Sequence, residues 1–315
     1  MTAPLAHSPP HMASTIALRC DDAPVRTAVR AWLDGTEISP PDPLAVHVRL
    51  VGRLGPQEDR RTPFRQPTVI IRSGSPDQPT RLDWRTAPAT AELGIHPEAS
   101  VFLTPEAVAR LDECLSTFFT PVLILLLRRA RWHHIHAATV MDPSGRGWLL
   151  AGDSHAGKST TTALLGANGW RVGADDSAFL FAHDGRVLAR APRSLIALRP
   201  GGRALLAQAV GRDLDHIDPH PFSPSDLGTS WTPQIAPQIA LFLASGGTRT
   251  SGTPLSAPAA LAQLVRASAW VMLEHEFAQQ HLDLLTDLAR QVRAYRVVLG
   301  PDLSADPSLI LDLVQ

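Results

Sequence analysis

The chain has 315 residues, 44% of them hydrophobic and 19% charged, the composition of an ordinary soluble globular protein with room for one large or two smaller domains. A net charge of −1 and a pI near 6.9 leave no basic field to recruit nucleic acid or an acidic membrane surface. Its two cysteines, Cys20 and Cys114, have no metal-ligand spacing and read as free thiols in a reducing compartment.

In chain order, residues 1–14 are rich in Pro and Ala, lack the basic-then-apolar order of a secretory signal, and read as a disordered tail. With the free thiols, this predicts a cytoplasmic protein. From 15 to about 103, short apolar stretches (LAVHVRLVG at 44–52, TVIIRSG at 68–74) alternate with Pro- and Gly-rich turns, the pattern of a small domain with several strands. Thr104-Pro105-Glu106 reads as a helix start: a hydroxyl cap, a proline in the first turn and an acid favoured by the helix dipole. Val108, Leu111, Leu115, Phe118 and Phe119 follow at helical spacing, Pro121 should end or kink that helix, and a second apolar helix runs to about Arg131. The run FFTPVLILLL (118–127) is too short to span a bilayer. Residues 15–131 are thus expected to form a small N-terminal α+β domain with its connecting helices.

From 132 to 315 strands and helices alternate, which predicts an α/β domain. Residues 133–141 read as one strand, 144–147 as a turn and WLLAG (148–152) as a buried strand. KSTTTALLGANG (158–169) reads as a helix ending at Gly169, and WRVGADD (170–176) as a further strand. FLFAHDGRVLA (179–189) is a hairpin turning at Asp184-Gly185. Residues 212–236, rich in Pro, Asp and Ser, read as a long loop, a lid or a peptide-binding edge. A strand near 239–245, a turn at 245–253 and two helices follow, with Phe277, Leu284, Leu288, Val292 and Tyr295 expected on one face of the second helix.

The stretch GDSHAGKST (152–160) contains the only lysine of the chain, Lys158, beside 28 arginines. Gly152, Gly157, Lys158 and Ser159 fit G-x-x-x-x-G-K-[ST] between a predicted strand and a predicted helix, the context a phosphate-binding loop requires. The glycines let successive backbone N–H groups point inward, and the helix adds its positive N-terminal end. Lysine is a slim point charge that can lie along such a loop and reach the β- and γ-phosphates of a nucleotide, where the wide guanidinium fork would not fit. The Ser159 hydroxyl suits Mg²⁺. Asp175 and Asp176 follow at the end of the next predicted strand. Side chains of neighbouring strand residues face opposite ways, so one carboxylate can hold the metal while the other acts as general base on a substrate hydroxyl. His134 and His136 would share a face of their strand, as a metal pair does, but no third ligand stands near them in sequence.

Three stretches in this order, IHAATV (135–140), LLAGDSHAGKST (149–160) and RVGADDSAFLF (171–181), resemble the catalytic domain of the HPr serine kinase/phosphorylase family. The tail AYRVVLGPDL (294–303) is similar to the end of HPr-kinase-related proteins, including those that accompany lasso-peptide biosynthesis. The resemblance is strong over 132–190, reaches 303 and is weak before 104. It implies a P-loop fold of the HPr kinase/phosphoenolpyruvate carboxykinase type. It also implies that Gly152, Asp153, Ser154, His155, Ala156, Gly157, Lys158, Ser159 and Thr160 cradle the ATP phosphates. By the same resemblance Asp175 is the base on a serine hydroxyl, Asp176 a metal ligand together with Ser159, and His136 a neighbour of the base.

The chain departs from the family's pattern in three places. His155 stands where the family's loop has glycine, Thr160 stands where HPr kinases carry glutamate, and the Arg-Gly-Leu-Gly run of HPr kinases is missing. The related kinases that phosphorylate the C-terminal serine of a precursor peptide therefore fit better than an HPr kinase. The acceptor expected is a peptide or small protein bearing a serine, with an oligomeric assembly left open. A nucleotide-binding module that presents a peptide without transfer is the alternative from another class, and it would not need two carboxylates. Arg193 or Arg199 could neutralise charge on the transferring phosphoryl group.

Overall fold

The computed structural model describes residues 15–36, 38–55, 64–74, 78–193, 195–211, 214 and 221–314. The predicted tail, 1–14, lies outside them. The chain divides after Ala130 into two compact units, and together they make a mixed α/β protein with several sheets. Among the described residues no helix is long and apolar enough to cross a membrane, and Cys20 and Cys114 are both free and buried.

The first unit contains β1 (Ala17–Cys20), α1 (Ala23–Asp34), β2 (Ala45–Leu50), β3 (Phe64–Arg65), β4 (Val69–Arg72), β5 (Thr80–Trp84), β6 (Ala89–Leu93) and β7 (Glu98–Leu103). They form a seven-stranded sheet of order β1-β2-β7-β6-β5-β4-β3. Alternation along the strands explains it: Val69 and Ile71, then Thr80, Leu82 and Trp84, turn to the buried face. The expected helix after Thr104 is broken into α2 (Pro105–Val108), α3 (Leu111–Cys114) and a π-type turn over Leu115–Phe119. Thr104 does not cap it, because its hydroxyl donates to the Pro88 carbonyl at 2.8 Å instead. Pro121 begins the next helix, α4 (Thr120–Arg129), in the first turn, where a missing N–H matters least. Residues 121–127 of α4 are buried on every side, as an all-apolar run should be, and Arg128 is buried next to them.

The second unit contains β8 (His133–Ile135), β9 (Ala137–Met141), β10 (Gly147–Gly152), α5 (Lys158–Ala167), β11 (Arg171–Val172), β12 (Ala178–His183), β13 (Arg186–Arg190) and α6 (Pro200–Val210). β14 (Gln234–Ile235), β15 (Pro237–Ser245), β16 (Ser251–Leu255), α7 (Ala257–Ala267), α8 (His275–Gln291), β17 (Arg293–Leu299), α9 (Asp302–Ala305) and α10 (Leu309–Asp312) complete it. A six-stranded sheet has the order β11-β9-β10-β15-β17-β16, with β10, β15 and β17 parallel. A four-stranded antiparallel sheet has the order β14-β13-β12-β8. Both faces of β10 are buried: Leu149 and Ala151 join the core that α7 and α8 cover, while Trp148 and Leu150 join the core with Trp170 and α10. That is why WLLAG reads as a continuous apolar run.

Four sequence-based expectations need correction here. Residues 133–141 are not one strand. The chain leaves the small sheet after Ile135 and enters the large one at Ala137, with the His136 N–H donating to the Ala267 carbonyl at 2.8 Å. The strand expected over 170–176 stops after two residues, and Asp175 and Asp176 sit on the bend that follows. The last long helix ends at Gln291, so Val292 only caps it and Tyr295 lies on β17, where its ring fills the opposite core. The stretch 212–236 carries a 3-10 turn over Pro224–Leu227 and strand β14, and residues 212–213 and 215–220 lie outside those described. The hairpin stands as read: Asp184 (φ 47°) and Gly185 (φ 73°) make its two-residue turn.

Candidate active site

The loop from Gly152 to Gly157 joins the central strand β10 to α5. Gly157 has φ 97°, and a Cβ there would lie 2.7 Å from Leu299 Cδ1; at Gly152 a Cβ would lie 2.5 Å from the Leu243 carbonyl oxygen. Both positions therefore require glycine. The ten-residue α5 has no side chain capping its N-terminus, which leaves its first N–H groups for an anion. His155 has φ 69°, in the left-handed region that favours glycine, so the residue that departs from the family's pattern sits in glycine's conformation. Lys158 is buried, and its Nζ donates to the carbonyls of Gly152 at 2.9 Å and Asp153 at 3.2 Å. Burial pulls its pKa down, while the charges of Asp176, Asp153 and Asp175 hold it up in part.

β9 carries the two aspartates to this loop. Thr139 accepts at Oγ1 from the Ala174 N–H (2.8 Å), its own N–H donates to the Ala174 carbonyl, and its carbonyl accepts from Gly173. A Cβ on Gly173 would come within 2.2 Å of Thr139 Oγ1, so glycine lets the two segments close up. The bend beyond them turns the Asp175 side chain inward. Its Oδ2 accepts from the Ala197 N–H at 2.8 Å, and the Ser159 hydroxyl also hydrogen-bonds to it. Burial, then the neighbouring charge of Asp176, push its carboxyl up to about 6 from an ordinary 3.8. Asp176 is exposed, and its backbone hydrogen-bonds to His136. Burial and then the Lys158 charge push the His136 pKa down, against a smaller upward pull from Asp176.

His134 does not join His136. It is bonded to Ser177 Oγ at 3.0 Å and packed edge-on against Phe179 and Trp270, and burial drives its pKa down to about 3. The shared strand face that would have made a metal pair is lost, because β8 and β9 belong to different sheets. Among the described residues no group of three or more His, Cys, Asp or Glu is placed to hold a metal ion.

A cavity of about 610 Å³ brings together His136, Ser154, His155, Gly157, Lys158, Ser159, Thr160, Asp175 and Asp176. Gly152 and Asp153 border a smaller neighbouring cavity, and Ala156 is buried in the core beneath the loop. Sequence reasoning missed one wall: Ala197, Leu198, Gly201 and Gly202, before and within the first turn of α6. The signal was present in Pro200-Gly201-Gly202, since a Cβ on Gly202 would lie 2.6 Å from Thr160 Oγ1 and only glycine brings α6 so near α5. Arg199, but not Arg193, lines the cavity. The residues present fit a magnesium nucleotide: an uncapped helix end and a buried ammonium for phosphate, with one hydroxyl and two carboxylates for an ion that phosphate oxygens and water would complete.

No protein-family profile matches the chain, and no curated protein matches it in sequence. Among solved structures, it is similar to the HPr(Ser) kinase/phosphatase from Coxiella burnetii at 13% identity and a TM-score of 0.32, over 58% of this chain and 88% of that one. A likeness of this size carries no argument about activity.

Proposed function

We propose that the protein is an ATP- and Mg²⁺-dependent serine kinase whose acceptor is a peptide, with the C-terminal serine of a lasso-peptide-type precursor as the expected target. One observation carries the reading: an uncapped helix N-terminus with a buried lysine shares a single cavity with two adjacent carboxylates and a histidine. The loop N–H groups and Lys158 would hold the phosphates, and Ser159 and Asp176 would hold Mg²⁺, which neutralises charge on the β- and γ-oxygens when bound. Asp175, with a carboxyl near 6, is matched to accept a proton close to neutral pH. The serine oxygen would form its bond to the γ-phosphorus as the bond to the bridging oxygen breaks, its proton passing to Asp175 and ADP leaving. Arg199 at the cavity wall would oppose the charge on the group in transit.

Asp175→Asn should keep Mg-ATP binding and lose transfer, whereas Asp176→Asn should weaken Mg²⁺-dependent nucleotide binding. An ATP titration alongside a transfer assay separates them. The reverse pattern would exchange the two roles, full transfer in both variants would remove both roles, and no transfer by the parent chain would remove the kinase reading.

A further inference from the structure

Beside the phosphate cavity lies a second one of about 320 Å³. It opens at the C-terminal ends of β10 and β15 and beside β17, where open α/β sheets bind their ligands. Phe242, only 5% exposed, gives it an apolar side, and the last turn of α7 supplies Gln263 and Arg266. The two cavities share His136 and Ser154. Charge in the second is unbalanced: two guanidinium groups, Arg266 and Arg296, face one carboxylate, Asp153. Asp153 pairs with Arg266 at 3.5 Å, and among the described residues the Arg296 side chain makes no hydrogen bond or ion pair.

We propose that this second cavity receives the acceptor, and that Arg296, with Arg266 beside it, binds a carboxylate standing next to the serine hydroxyl. This rests on the kinase function proposed above, because an acceptor held here lies against His136 and so beside the reacting groups. Guanidinium suits such a ligand, since it offers a planar pair of donors to the two oxygens of a carboxylate. The carboxylate can come from a chain terminus or from an acidic side chain adjoining the serine.

The test is binding to the full chain, without nucleotide, of three small probes: N-acetyl-Gly-Ser as the free acid, the same dipeptide as the amide, and N-acetyl-Asp-Ser amide. The acid should bind at least about tenfold more tightly than its amide, and Arg296→Ala should remove that difference. Mg-ATP affinity of Arg296→Ala should stay within about twofold of the parent, since Arg296 lies outside the phosphate cavity. If N-acetyl-Asp-Ser amide binds like the acid, with the same dependence on Arg296, the carboxylate site stands and its source is a side chain. Equal affinity for acid and amide, no binding of either, or a loss in Arg296→Ala that falls on Mg-ATP would overturn the proposal. Failure of the kinase reading is distinct: the acid would bind through Arg296 while Mg-ATP did not bind or its phosphoryl group never moved.

Discussion

The ammonium of Lys158 donates to the Gly152 carbonyl at 2.9 Å, so the chain's one lysine lies back along the loop that precedes it. A guanidinium is too wide for that path. Lys158→Ala and Lys158→Arg should therefore both lower phosphoryl transfer by on the order of a hundredfold or more, with the far-UV circular dichroism unchanged. Arginine restoring the rate would mean that charge alone matters at this position.

The proton on Asp175 links stability to pH. Its carboxyl is raised in the fold to about 6 from 3.8, so the folded chain holds the proton more tightly than the unfolded chain does. Its favourable contribution is full below pH 3.8 and is lost as pH rises through about 6. Asp175→Asn should then raise the unfolding free energy at pH 7.5 by up to about 3 kcal/mol, and by little at pH 4. Urea denaturation of both proteins at the two pH values measures this, and a destabilised variant at pH 7.5 would show that the hydrogen bonds from Ala197 and Ser159 outweigh desolvation.

His155, at φ 69°, holds a conformation that costs an ordinary residue about 1–2 kcal/mol. Glycine would relieve it while giving back about 0.5–1 kcal/mol of chain entropy. His155→Gly should stabilise the fold by up to about 1 kcal/mol and leave Mg-ATP binding intact. Weaker nucleotide binding in this variant would mean that the imidazole itself touches the phosphates.

Thr139 fixes the bend that carries the aspartates, through its Oγ1 on the Ala174 N–H. Thr139→Val orphans a buried donor, at a loss of about 1–3 kcal/mol in stability, and should lower kcat for transfer more than it changes KM for ATP. Thr139→Ser keeps the acceptor and should recover most of both. Equal loss in the two variants would point to packing of the methyl group.

Much of this site was legible from residue types alone. The loop, its strand and its helix follow from Gly152, Gly157, Lys158 and the apolar run before them, because local backbone chemistry dictates a glycine turn between a buried strand and a helix. The bend at Asp175 was not legible: Thr139 and Gly173 meet across β9 and β11, a pairing invisible in a linear reading. His136 was misplaced on a strand for a related reason. A continuous strand-like stretch with no turn residue in it cannot reveal that the chain changes sheets in the middle of it. The α6 wall and the pair Arg266 and Arg296 come from segments distant in sequence, and the packing of α5 on α6, of α7 on β10 and of β15 on β17 brings them to the loop.

The most direct test of the kinase reading is intact-mass spectrometry of a peptide ending in serine after incubation with the protein and Mg-ATP, with Lys158→Ala as the blank. HPr serves as the second acceptor. One added phosphoryl group on the serine peptide, absent with Lys158→Ala, is the predicted result. No mass change on either acceptor, in a protein shown by titration to bind Mg-ATP, would contradict it.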